Sequence, residues 1–130
     1  MWKDKYKYKI MKVLDLSLKH CWYDMIASGE KKEEYREIKE FYMQRLLKHL
    51  YQCCHPHPVL IGHWEPYIKY VFKQYDAVRF HRGQGSPVTM LVECLGITVG
   101  KGKPEWGAPE DKDVFIIKLG KRIEAHRPEK

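Results

Sequence analysis

Gly29-Glu30-Lys31-Lys32-Glu33-Glu34-Tyr35-Arg36 is where one kind of backbone gives way to another. Before it, Leu18, Trp22, Met25, Ile26 and Gly29 recur at three- and four-residue spacing from about Lys19 to Ser28, which predicts a short amphipathic helix. Gly29 stands where such a helix closes with a residue in the left-handed conformation. After it the chain reads as a strand. Strand side chains alternate, so Glu34 and Arg36 point the same way, roughly 7 Å apart along the backbone. From the turn, the long stem of Lys31 can swing towards that face, so that one acid and two bases converge. The same residues also fit an exposed, charged edge strand whose Lys and Glu discourage edge-to-edge pairing. Residue types alone leave both readings open.

Upstream, Lys12 to Leu18 sets Val13, Asp15 and Ser17 against Leu14, Leu16 and Leu18, the alternation of a half-buried strand. Ser17 is a candidate cap for the helix that follows. Residues 1–11, rich in Lys and Tyr, read as a basic arm. Downstream, Glu40 to Tyr51 regains helical period through Tyr42, Leu46, Leu47 and Leu50, and Pro56 and Pro58 mark a loop. Glu65 to Gln74 is a further candidate helix with Pro66 in its first turn. Residues 38–74 thus form a helical and loop insertion.

Strands follow. Tyr75 to His81 puts Ala77, Arg79 and His81 on one face and Asp76, Val78 and Phe80 on the other. Val88 to Val99 is rich in β-formers, interrupted by Gly96, which suggests a bulge or bend of the kind that closes a small barrel. After a loop with Pro104, Trp106, Gly107 and Pro109, Val114 to Leu119 supplies a last strand, and residues 123–130 form a tail. Helices gather early and strands late, without βαβ repetition. The expectation is a single α+β domain over residues 12–122, built on a small mixed or antiparallel β-barrel with flanking helices.

The 130 residues suffice for one domain with its own core. With 24 Lys and Arg against 17 Asp and Glu, the formal charge is +7. Such an excess favours polyanions through counterion release, which makes nucleic acid the first partner to consider. No apolar run approaches the roughly 20 residues that cross a bilayer. Cys21, Cys53, Cys54 and Cys94 show no disulfide framework and the chain starts without a signal-peptide pattern, which points to a reducing cytoplasm. No phosphate loop, Gly-x-Ser-x-Gly elbow or dinucleotide fingerprint is present, so no cofactor is expected.

Gly29, Lys31, Glu34 and Arg36 match the G-x-K-x-x-E-x-R signature of the ASCH domain, a PUA-like family linked to RNA, which the chain resembles over roughly residues 12–120. The strand Leu14 to Leu18 and the helix residues Trp22, Tyr23 and Ile26 lead into the signature in the same order, and Tyr75 to Phe80 and Val114 to Gly120 are similar to the family's later strands. The resemblance implies a β-barrel with a cleft into which the signature Lys, Glu and Arg project. It also implies RNA or a nucleoside-like ligand as partner. Some similar proteins hydrolyse N4-acylated cytidine and some cleave single-stranded RNA. In the small amidohydrolases a Thr stands where this chain has Glu34, so the hydroxyl nucleophile of that route is absent here. A hydrolysis at this cleft would use Glu34 as base, Lys31 or Arg36 to hold the oxyanion, and Glu105 as a second carboxylate.

Other residues carry weaker signals. Arg79, His81 and Arg82, with Arg45, are candidates to bind phosphate, or a solvated strand face. His81 is the histidine to test as acid or base. Trp106, on its Gly- and Pro-rich loop, is the aromatic best placed to stack a base, with Trp64, Tyr23 and Tyr35 behind it. Cys53, Cys54, His55, His57 and His63 are zinc-ligand types, but their spacing gives none of the usual ligand loops, so no metal is expected. Three functions compete: a hydrolase on a modified nucleoside or single-stranded RNA, a noncatalytic RNA-binding module, and a small-ligand or protein-interaction domain.

Overall fold

A computed structural model describes residues 10–48 and 71–123. Most of the basic arm, the end of the Glu40 to Tyr51 segment, the Cys/His cluster, Trp64, most of the Glu65 to Gln74 segment and the C-terminal tail lie outside the described residues. Five strands, β1 (Val13–Leu18), β2 (Glu33–Arg36), β3 (Ala77–Arg82), β4 (Thr89–Lys101) and β5 (Asp113–Ile123), form one mixed sheet of order β1-β3-β4-β5-β2. Two helices, α1 (His20–Ala27) and α2 (Glu40–Leu46), and a short 3-10 turn at Pro104–Trp106 complete an α+β chain. Among the described residues no helix is long and apolar enough to cross a membrane.

The described residues divide into two compact units. The first draws on Met1–Lys32, Tyr75–Leu95 and Leu119–Lys130, the second on Glu33–Gln74 and Gly96–Lys118. Strands β4 and β5 run through both. In β4 the passage falls at Gly96, whose φ of 143° is a conformation that residues with a Cβ rarely adopt.

In the first unit β1 pairs in parallel with β3, and β3 antiparallel with β4. The register aligns Leu14 with Val78 and Val92, and Leu16 with Phe80 and Met90. All six are buried. Two apolar rows thus cross three strands on one face, as the alternation of Leu14, Leu16 and Leu18 predicted. On the other face, Ala77 and Ile123 form a small buried cluster against which Met11 and Leu91 pack. Asp76 ties the start of β3 to that of β1, its Oδ2 accepting from the Lys12 amide at 2.9 Å and its own amide donating to the Lys12 carbonyl at 2.8 Å.

Helix α1 starts from Lys19 in extended conformation without a side-chain cap. Ser17 lies within β1 opposite His81 in the strand register, so it is not the predicted cap. The helix stops at Ser28, whose amide reaches the Asp24 carbonyl, and Gly29 follows at φ 88°, in the expected left-handed conformation.

In the second unit β2 runs antiparallel to β5, Glu34 opposite Ile117 and Arg36 opposite Phe115. Val114 to Ile117 are all buried, and Phe72 meets Phe115 edge-to-face at 5.9 Å between centroids. Helix α2 is shorter than its periodicity suggested: Leu47 turns extended (φ −98°, ψ 146°) and bridges to Phe72. Residues 73 and 74 are not helical, so the candidate helix there does not reach Gln74. Gly102 belongs to this unit's tight interior. A Cβ built on it would lie 2.5 Å from Tyr35 Cε1 and 2.7 Å from both Tyr35 Cζ and Ala108 Cβ.

Candidate functional site

Lys31 and Glu34 are the buried charged residues among those described, 2% and 6% exposed respectively. An ionised side chain out of water is costly unless it is paired or hydrogen-bonded, so these two positions mark where the chain spends stability. Lys31 belongs to the first unit; Glu34, Arg36 and Glu105 belong to the second.

Lys31 is held by the end of α1. Its amide donates to the Met25 carbonyl at 3.0 Å, and its Nζ lies 5.8 Å from the centroid of the Trp22 ring, within range of a cation–π contact. It lines a cavity of about 550 Å³ together with Ile26 and Gly29 from the end of α1, Lys32 beyond it, Val92, Glu93 and Leu95 from β4, and Leu119, Gly120, Lys121 and Arg122 from β5. Ile26, Val92 and Leu119 are buried, while Lys32, Lys121 and Arg122 are exposed. The cavity therefore combines an apolar floor with four cations and a single carboxylate, Glu93. Among the described residues no carboxylate pairs with Lys32, Lys121 or Arg122. Gly120 makes room for Glu93: a Cβ there would fall against the Glu93 carboxylate and within 3.1 Å of Leu95 Cδ2. The Lys121 amide donates to Glu93 Oε1 at 3.4 Å.

The basic side chains of β3 are already partnered. Asp15 Oδ1 lies 2.8 Å from His81 Nε2 and 3.3 Å from Arg79 Nη1. His81 Nδ1 lies 3.3 Å from the Ser86 carbonyl; both neighbours are acceptors, and a neutral ring can donate to only one of them. Partial burial raises the Asp15 pKa, but the His81 hydrogen bond and the Arg79 charge and hydrogen bond outweigh it and hold the carboxyl below its usual range. Arg82 grips Asp24 through Nε and Nη2, at 3.1 and 3.0 Å. That grip lowers the Asp24 pKa and raises that of Arg82. A phosphate at Arg79, His81 or Arg82 would have to displace a carboxylate first.

In the second unit Glu34 and Arg36 share a face of β2, as alternation predicted. Arg36 places both Nε (3.0 Å) and Nη2 (2.7 Å) on Glu34 Oε2, and its Nη1 donates to the Tyr42 hydroxyl at 2.9 Å. β2 is indeed an edge strand, yet this pair is largely buried. Tyr35 donates its hydroxyl to Glu33 Oε1 at 2.7 Å and accepts from the Lys103 amide at 3.0 Å. Burial first, then Glu33 and the charge of Glu105, raise its pKa against the opposing Lys103 bond. Glu105 is exposed on the 3-10 turn. Trp106 is half-buried with Lys103 Nζ 4.3 Å above its ring, so a base stacking on that face would compete with a cation. Arg45 lies 5.3 Å from the Phe41 ring. A second cavity, of about 330 Å³, is lined by Tyr35, Arg36, Glu37, Gly107, Pro109, Lys112 and Val114. Lys112 lies 3.6 Å from Glu37.

Among the described residues no three His, Cys, Asp or Glu side chains come together as a metal-ligand set, and Cys21 and Cys94 are not in disulfides. The sequence reading did not single out Glu93, Gly120, Lys121 or Arg122. A signal existed in Lys121-Arg122 followed by an apolar Ile123, the mark of a strand that continues past Leu119. Compared with family models, curated protein sequences and solved structures, the chain matches none.

Proposed function

We propose that this chain is an ASCH-like domain that binds RNA or a nucleoside-like ligand, and that the cavity at the end of α1 is its ligand site. The observation that carries the reading is Lys31, a signature residue, 2% exposed in the wall of a cavity whose other cations, Lys32, Lys121 and Arg122, have no carboxylate partner among the described residues. Lys32, Lys121 and Arg122 around an apolar floor suit a ligand that is anionic at one end and flat or apolar at the other. The +7 charge of the whole chain adds long-range attraction of the same sign.

Binding, rather than hydrolysis, is what the local chemistry favours. Glu34 Oε2 already receives two donors from Arg36, which holds the carboxylate in a structural ion pair. No hydroxyl stands at that position to act as nucleophile.

The test is fluorescence anisotropy of the full chain with labelled single-stranded RNA over a salt series, with N4-acetylcytidine turnover followed in parallel. Neutralising about three phosphates predicts a slope of roughly −2 in log affinity against log salt, or about twentyfold weaker binding between 50 and 200 mM. Lys31→Met should weaken binding while the far-UV circular dichroism stays unchanged. Absence of RNA and nucleoside binding at low salt would remove the proposal. Turnover of N4-acetylcytidine abolished by Lys31→Met would replace binding by catalysis.

A further inference from the structure

We infer that the first unit's cavity takes one phosphorylated nucleotide, with Lys121 and Arg122 holding its phosphate and Glu93 accepting from a sugar hydroxyl or a base amino group. The inference rests on the binding reading above and narrows it from nucleic acid in general to a single nucleotide unit bearing a phosphate.

Three observations lead there. The first is size. About 550 Å³ is the volume of a small-ligand site, whereas a groove that tracks a single strand without sequence preference accommodates roughly four or more nucleotides. The second is the distribution of neutralised charge. Arg79, His81 and Arg82 hold Asp15 or Asp24, whereas Lys32, Lys121 and Arg122 have no carboxylate partner among the described residues, and Lys121 and Arg122 both line the cavity. The third is Glu93. A lone carboxylate among four cations is an acceptor for donors at a second point on the ligand, away from its phosphate. Gly120 keeps the space that this carboxylate occupies. A phosphate joined to a hydroxyl-bearing sugar meets both demands. Inorganic phosphate meets only the first, and an unphosphorylated nucleoside only the second.

Isothermal titration of the full chain with cytidine, cytidine 5′-monophosphate and cytidine 3′-monophosphate at low salt, beside the RNA titration already described, tests this. At least one monophosphate should bind about tenfold or more tightly than cytidine, as expected of charge-assisted hydrogen bonds. The Lys121→Gln/Arg122→Gln double variant, on exposed positions, should reduce that preference to about twofold while leaving cytidine affinity unchanged. Glu93→Gln should weaken cytidine and monophosphate alike. Equal affinity for cytidine and both monophosphates overturns the inference, as does a double variant that weakens cytidine as much as monophosphate. RNA binding without affinity for either monophosphate also overturns it and leaves the binding reading standing. No binding to RNA or to any small ligand ends both.

Discussion

Replacing Gly102 by Ala adds one methyl group where three carbon atoms already stand 2.5 to 2.7 Å from its position, two of them in the Tyr35 ring and one in Ala108. Carbon atoms normally approach to about 3.5–4.0 Å, so the ring has to retreat by about 1 Å. It is not free to do so, because its hydroxyl is held by Glu33 at 2.7 Å and by the Lys103 amide at 3.0 Å. Overpacking of this kind costs about 1–3 kcal/mol, and loosening the phenol's hydrogen bonds adds about 1 kcal/mol. The expected loss is roughly 2–4 kcal/mol. With an unfolding entropy of about 2.1 cal/mol/K per residue, that lowers the Tm of a chain this size by roughly 7–15 °C.

The same substitution at Gly120 is the control. There the methyl group meets the Glu93 carboxylate and Leu95 Cδ2, the ends of flexible side chains, and Leu95 is 62% exposed. Its cost should stay below about 1 kcal/mol. Calorimetric or urea unfolding reads both variants. A second readout follows the Tyr35 phenol by ultraviolet absorbance. In the wild type it should remain protonated beyond pH 10, since burial raises its pKa; in Gly102→Ala it should ionise nearer the ordinary value. Combining Gly102→Ala with Tyr35→Leu should recover about 1–2 kcal/mol relative to the sum of the single effects. Stability of Gly102→Ala within roughly 0.5 kcal/mol of the wild type, or a loss in Gly120→Ala as large as in Gly102→Ala, would show that no clash with Tyr35 limits position 102.

Arg36→Met strips the buried Glu34 carboxylate of its two donors and should cost about 3 kcal/mol in urea unfolding. Adding Glu34→Gln to it should restore part of that loss, and a double variant less stable than Arg36→Met alone would contradict the pairing. Asp15 governs a pH effect. Its folded pKa lies below the ordinary aspartate value, so its contribution is present above the unfolded pKa and disappears as pH falls through the folded one. Because its side chain is 45% exposed, the amount is only a few tenths of a kcal/mol. Asp15→Asn should flatten the acid limb of the stability profile below about pH 4; a difference confined to pH above about 5 would contradict this.

Local periodicity made much of the fold legible. The Leu14, Leu16, Leu18 alternation gave β1, the spacing of Trp22, Met25 and Ile26 gave α1, and Gly29 marked its end, because each depends on residues within a turn or two of chain. Alternation likewise put Glu34 and Arg36 on one side of β2. Helix α2 was overextended because Leu47 and Leu50 fit a helical period, whereas Leu47 is claimed by an extended bridge to Phe72, a contact that no local pattern encodes.

What the sequence by itself determined was the charged turn and strand around Lys31, Glu34 and Arg36, together with the +7 excess that brings polyanions into view. Which charges are spent and which remain was decided by tertiary structure alone. Strand register sets Arg79 and His81 beside Asp15, and the meeting of β3 with α1 sets Arg82 beside Asp24, so those side chains are already partnered. β5 continues through Lys121 and Arg122 because Ile123 finds a buried place with Ala77, Met11 and Leu91, residues distant in the chain. The physical reason is common to both: alternation fixes the side to which a residue points, but its neighbours there are supplied by other strands, and they determine whether a charge is paired, buried or left open to a ligand.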